Sequence, residues 1–211
     1  MGFGSNVFVN CPFDDEYIPL LRPILFVILD LGLTPRIALE ALDSGKPRVE
    51  KIITLIEKSK YGIHDLSRLK AKKRGEYYRL NMPFELGLDV GCRLFGGERW
   101  ATKRCLILEA ERFRYQAAIS DVSGSDIAVH RNDPPAAATA VRNWLNTEAR
   151  LRAPGPTRIW NRFTDFMAAN YVRLTERGYS DADVARLPVP ELIEDMRRWI
   201  AEPDGGDEAR P

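Results

Sequence analysis

The alternation of strand and helix signals along the first two thirds of the chain limits its fold more than any other feature. Asn6 to Asn10 reads as a short apolar strand, ended by Cys11-Pro12-Phe13-Asp14. The spacing then predicts a helix from Tyr17 to Leu31, with Pro19 acceptable in its first turn, Pro23 marking a kink or a later start, and Gly32 as the stop. Thr34 to Glu40 is a second strand, followed by the turn residues Asp43-Ser44-Gly45. An amphipathic helix comes next, with Val49, Ile52, Ile53, Leu55 and Ile56 on its apolar face and Glu50, Lys51, Glu57 and Lys58 outside. Tyr61 to Leu66 is a third strand, trailed by a basic loop from Arg68 to Arg79. A third helix spans Pro83 to Phe95. Arg104 to Glu109 is a strand buried on both faces by its composition, and Ser125 to His130 is a fifth. Pro134-Pro135 opens a helix running to about Arg150.

Five strands separated by helices imply a parallel sheet with helices on both faces, a doubly wound α/β domain expected over residues 1–152. Ala153-Pro154-Gly155-Pro156 marks a boundary, after which two helices (Ile159 to Thr175 and Glu191 to Ile200) form an expected appendage over 153–202. The Gly- and Asp-rich stretch 203–211 is expected to be disordered. A chain of 211 residues has room for this arrangement, and 45% apolar residues are enough for a core. A net charge of +1 argues against direct nucleic-acid binding. The longest apolar run, Ile18 to Leu33, is broken by Arg22, Pro23 and Asp30, so no membrane association is expected. Residues 1–5 lack the features of a signal peptide, and Asn6 stands where a myristoylation motif wants Ser or Thr. The expectation is a cytoplasmic, soluble chain. Cys11, Cys92 and Cys105 form no CxxC and only two histidines are present, so neither a disulfide scaffold nor a metal site is expected.

Open parallel sheets collect ligands outside the carboxyl ends of their strands. That rule selects Asn10, Cys11, Pro12, Phe13, Asp14 and Asp15 after the first strand, and Glu40, Asp43 and Ser44 after the second. It also selects His64, Asp65 and Ser67 after the third, Asn81 and Glu85 at the third helix, and Arg112 and Tyr115 after the fourth. Glu85 is the most informative. The helix dipole favours an anion there, whereas apolar neighbours raise a carboxyl's pKa, and Phe84, Leu86 and Leu88 argue that this turn faces the sheet. Gly87 and Gly91, one turn apart, suit a close backbone approach to a neighbour or ligand. His64 and Cys11 read more readily as packed residues than as an acid–base group and a nucleophile. The basic loop is a candidate phosphate ligand or a solvated loop. No Gly-rich phosphate cradle of either common spacing occurs, which disfavours a Rossmann dehydrogenase and a P-loop nucleotidase.

The run Asn81-Met82-Pro83-Phe84-Glu85-Leu86-Gly87, placed after a strand ending in His64-Asp65-Leu66-Ser67, resembles the Phe-Glu-Leu-Gly motif of nucleoside 2-deoxyribosyltransferases. It is also similar to Toll/interleukin-1 receptor (TIR) domains, which open with a strand such as Val7-Phe8-Val9-Asn10. The resemblance covers about residues 6–150. It implies a flavodoxin- or TIR-like fold, breakage of an N-glycosidic bond, Glu85 as the catalytic carboxylate, and Asn81 as a ligand of ribose hydroxyls. Asp14 and Ser44 become candidates for base or sugar contacts. Asn10, Pro12, Phe13, Asp65 and Ser67 complete the expected substrate-binding set.

Three functions follow as expectations. The first is an enzyme, an NAD glycohydrolase or a nucleoside deoxyribosyltransferase-like protein, using NAD as substrate with no cofactor and serving bacterial antiphage defence. The second is a nucleotide-binding sensor without turnover. The third is a scaffold that forms a homo-oligomer or meets a defence-system partner protein through its sheet domain.

Overall fold

The computed structural model describes residues 2–40, 45, 47–68, 80–112, 119 and 126–202. Five strands, β1 (Asn6–Asn10), β2 (Thr34–Ile37), β3 (Tyr61–Asp65), β4 (Arg104–Glu109) and β5 (Asp126–Val129), form one all-parallel sheet. Their order is β2-β1-β3-β4-β5. The chain therefore reverses its winding direction between β1 and β3, which creates a crevice beyond their carboxyl ends. Val9 pairs with Ile63, and Ile63 with Leu106, at the centre of the sheet.

Side-chain alternation along the strands assigns each residue to a layer. Val7, Val9, Tyr61, Ile63, Leu106 and Leu108 join the core under α1 (Ile18–Asp30) and α5 (Pro134–Glu148). The opposite face holds Phe8 under α2 (Arg48–Glu57) and Ile107 under α3 (Asn81–Phe95). Between those two apolar patches lie Gly62, His64 and Cys105, so this face has a polar stripe down its middle.

Most predicted elements form within one or two residues of their expected ends. Helix α1 runs unbroken through Pro23, which is itself buried. One lost hydrogen bond is outweighed there because Leu20, Leu21, Ile24, Leu25, Phe26, Val27 and Ile28 are all buried. The second strand ends early, at Ile37, and continues as a 3-10 turn over Ala38–Glu40. Two short helices were not foreseen, α4 (Glu98–Ala101) and α7 (Asp181–Ala185).

The apolar face expected of α2 is narrower than read. Ile52, Leu55 and Ile56 are buried, whereas Val49 and Ile53 stay exposed, because one residue of helix turns a side chain by about 100°. For the same reason Phe84 is 56% exposed while its neighbour Glu85 is buried, along the inward line of Met82, Glu85, Leu86 and Asp89. Gly87 and Gly91 make no close backbone approach, since nothing lies within 4 Å of where a Cβ would stand.

Helices α6 (Pro156–Glu176) and α8 (Val189–Ala201) pack on the outer side of α1. Their Phe163, Phe166, Leu192, Ile193 and Met196 belong to the same continuous core as Val7 and Val9. Among the described residues no helix is long and apolar enough to cross a membrane. Ser44, Asp43, Tyr115, most of the basic loop and the stretch 203–211 lie outside the described residues.

Candidate active site

Glu85 sits in the second turn of α3, facing the carboxyl ends of β1 and β3, and is only 3% exposed. Burial pushes its carboxyl above the ordinary range, while the charges of Arg48 and His64 pull the other way. Arg48, the first residue of α2, places its Nη2 3.8 Å from Glu85 Oε1. That distance is a charge contact beyond hydrogen-bond range. Among the described residues no hydrogen bond reaches the Glu85 carboxylate.

Behind Glu85 lies a buried polar chain. Asp89 is one turn further along α3, where a spacing of four places it on the same face. Its Oδ1 forms an ion pair with Lys103 Nζ at 3.0 Å, and its Oδ2 lies 2.9 Å from His64 Nε2. Lys103 is fully buried and also donates to the carbonyls of Ile56 and Ser59 at the end of α2. Burial alone would raise the Asp89 carboxyl, but His64 and Lys103 hold it below the usual value. The Cys105 thiol donates to Asp89 Oδ2 at 3.3 Å, and burial together with that carboxylate drives its pKa well up. Gly62 makes room for this carboxylate, because a Cβ there would meet Asp89 Oδ2 at 2.2 Å and His64 Nε2 at 2.9 Å.

Ligand atoms of His64, Asp89 and Cys105 lie within 4.8 Å of one another, a grouping that could in principle hold a cation. The Lys103 ammonium already supplies the positive charge there, so the residues present do not fit a resident metal.

A second buried group lies on the α1 side of the rim. Asp65 Oδ2 accepts from Tyr17 Oη at 2.6 Å and lies 3.1 Å from His130 Nε2. Its Oδ1 accepts from the Ser67 backbone N–H at 2.8 Å. Burial would raise this carboxyl, yet these partners hold it below its ordinary value. His130 Nδ1 in turn accepts from the Asn132 N–H at 3.0 Å. Arg131 and Asn132 adopt left-handed backbone, φ 53° and 56°, to make that turn.

The expected binding residues divide accordingly. Asn10 is buried, its Nδ2 donating to the Met82 carbonyl at 2.9 Å and lying 3.1 Å from His64 Nδ1. Asp65 is engaged on both oxygens, and Ser67 is buried beside it. Pro12 is buried and Phe13 packs against the core. Asp14 is partly exposed, accepts from the Tyr17 N–H at 3.1 Å and faces Arg68 at 3.5 Å. Asn81 is exposed at the start of α3. The thiol of Cys11 is buried, and burial plus the charges of Asp65, Glu85 and Asp14 push it far up, which makes it a packed neutral group. Asn10, Cys11, Asp14, Asp65 and Glu85 are thus gathered at one rim. Arg112 instead lines a separate cleft of about 980 Å3 beyond β4 and β5, with Arg131 and Asp133.

Sequence reasoning missed Arg48, Asp89, Lys103 and Tyr17. Two signals were available for Asp89: the four-residue step from Glu85, and a glycine in the middle of β3 that marks close approach by a neighbour. Nothing local singles out Lys103 or Arg48.

No protein-family model matches this chain, and no curated protein matches it at a significant level. The fold and the rim geometry define the class: a doubly wound α/β protein with a carboxylate buried at its switch point, which no described residue hydrogen-bonds.

Proposed function

We propose that the chain cleaves the N-glycosidic bond of a nucleotide, with NAD as substrate and nicotinamide as the released base. The observation that carries this reading is Glu85, a carboxylate buried at the crevice between β1 and β3 with Arg48 3.8 Å away and no hydrogen bond among the described residues. A preorganised anion in a water-poor site stabilises the positive charge that develops on the ribose as the bond breaks, or attacks the anomeric carbon directly. The charge of Arg48 partly offsets the cost that burial puts on the ionised carboxyl.

The chemistry of the leaving group supports NAD over a neutral nucleoside. Nicotinamide leaves as a neutral base from a pyridinium, so no proton donor is required. An ordinary nucleobase leaves more easily when protonated, which calls for a general acid. Near Glu85, His64 is occupied on both nitrogens by Asn10 and Asp89, and Asp65 is held below its ordinary pKa. The motif resemblance to TIR domains and nucleoside 2-deoxyribosyltransferases points the same way and suggests a role in antiphage defence.

The test is chromatographic analysis of concentrated protein incubated with NAD, NADP and a nucleoside panel, beside Glu85→Gln. Free nicotinamide from the wild type, reduced at least 100-fold in the variant, is the expected result. If substrates bind saturably but stay intact with both proteins, the chain is a nucleotide sensor. If neither binding nor turnover occurs, the site reading fails.

A further inference from the structure

The buried chain behind Glu85 has one consistent proton order. Asn10 Nδ2 carries two hydrogens and faces two partners, the Met82 carbonyl at 2.9 Å and His64 Nδ1 at 3.1 Å. A carbonyl can only accept, so this nitrogen is the amide's donor end and His64 Nδ1 must accept as well. The imidazole proton is then on Nε2, directed at Asp89 Oδ2 at 2.9 Å. Asp89 Oδ1 pairs at 3.0 Å with the Lys103 ammonium, which donates to the carbonyls of Ile56 and Ser59.

We propose that Asp89 and His64 are positioning residues for Glu85: the Lys103–Asp89 ion pair and the bonds from His64 to Asp89 and from Asn10 to His64 orient the imidazole with Nε2 as donor and Nδ1 as acceptor, and tie the first turn of α3 to β1 and β3. This rests on the activity proposed for Glu85. The groups facing the ring are Phe8 and Asn10 from β1, Glu85 and Asp89 from α3, and Cys105 from β4, with Lys103 acting through Asp89. Protonating Nδ1 would set two donors against each other at Asn10. Turning the amide over to relieve that would point its oxygen at the Met82 carbonyl. The ring is therefore oriented with Nε2 toward Asp89 and Nδ1 toward Asn10. The same bonds hold Met82, three residues before Glu85 on α3, against the end of β1.

Two measurements decide this. Nitrogen-15 NMR of the resting protein reads the tautomer without any turnover, and comparison with the His64→Gln spectrum separates His64 from His130, the only other histidine. The expected signature is a protonated Nε2 and an unprotonated Nδ1 in the resting protein at about pH 8. An Nδ1–H tautomer overturns the proposal.

The second measurement compares His64→Gln with His64→Leu. A glutamine amide can donate to Asp89 and accept from Asn10, whereas leucine can do neither. His64→Leu is expected to lower kcat about 100-fold with KM little changed, and His64→Gln to retain at least ten times more kcat than leucine. Equal kcat in the two folded variants overturns the positioning role. A wild type without turnover instead overturns the proposed activity, and with it the positioning role, while the NMR signature still reports whether the proton order is correct.

Discussion

Glu85 illustrates a residue kept at a cost to stability. Its folded pKa lies above the unfolded value because burial disfavours the charged form. An acid of that kind binds more protons folded than unfolded between the two pKa values, so stability falls as pH rises through that window and stays lower above it. Glu85→Gln should therefore raise unfolding free energy at pH 7, by on the order of 1 kcal/mol, and the gain should vanish below the ordinary carboxylate pKa of about 4. Denaturant melts at pH 7 and pH 3.5 check this, and a variant less stable than wild type at pH 7 would show that Glu85 makes a stabilising pair instead. Asp65 and Asp89 carry the opposite sign. Their folded pKa values are depressed, so their contribution is complete above the unfolded value and is lost as pH falls from about 4 through the lower folded values. Lys103→Met removes the buried ammonium 3.0 Å from Asp89 and should cost about 3–5 kcal/mol, most of it recovered when Asp89→Leu is added. A double-mutant cycle on the two positions measures that coupling.

At the scale of elements, β3 and α3 were legible as a strand and a helix, but what they hold between them was not. Strand periodicity identifies Gly62 and His64 as sharing a face; it does not say that an aspartate from another element will fill the space above the glycine. Gly62→Ala tests that reading. The added Cβ would stand 2.2 Å from Asp89 Oδ2 in the sheet's interior, so a loss of about 1–3 kcal/mol is expected, together with a lower kcat. A cost under about 0.5 kcal/mol by chemical denaturation would mean that the carboxylate swings aside freely. Helix α2 makes the complementary point. Its buried stripe and its neighbours Val49 and Ile53 are equally apolar in sequence, and only the position of the sheet edge decides which of them is covered.

Across the whole molecule, the C-terminal helices share the interior of the sheet domain. Phe26 of α1 lies 5.6 Å from Phe163, 5.7 Å from Phe166 and 5.9 Å from Trp199, ring centre to ring centre. Arg162 bridges back to Asp30 at 3.0 Å. Contacts of this kind couple α6 and α8 to α1 in one core. Phe166→Ala should cost about 3–5 kcal/mol, and it should lower the stability of the entire chain in a single transition. Calorimetry of wild type and variant reads both quantities; a second transition confined to the C-terminal helices would show that they unfold by themselves.

Local pattern was enough to set the class of fold, because a run of apolar residues with period two, or three and four, can bury itself in few ways, and five strands joined by helices force parallel pairing. It also placed Glu85, since a carboxylate embedded in an apolar helix turn after a strand is anomalous wherever the chain folds. Which polar residues stay open and which close on each other was decided by tertiary structure alone. Asn10 and Asp65 have the sequence appearance of rim ligands, yet they are bonded inward to residues 72 positions later and 48 positions earlier, Met82 and Tyr17. Arg48, Asp89 and Lys103 are ordinary surface-type residues by sequence. Asp89 and Lys103 acquire their roles from burial, where an unpaired charge is costly enough that each must find a partner, and Arg48 acquires its role from an exposed position that reaches the edge of the Glu85 carboxylate.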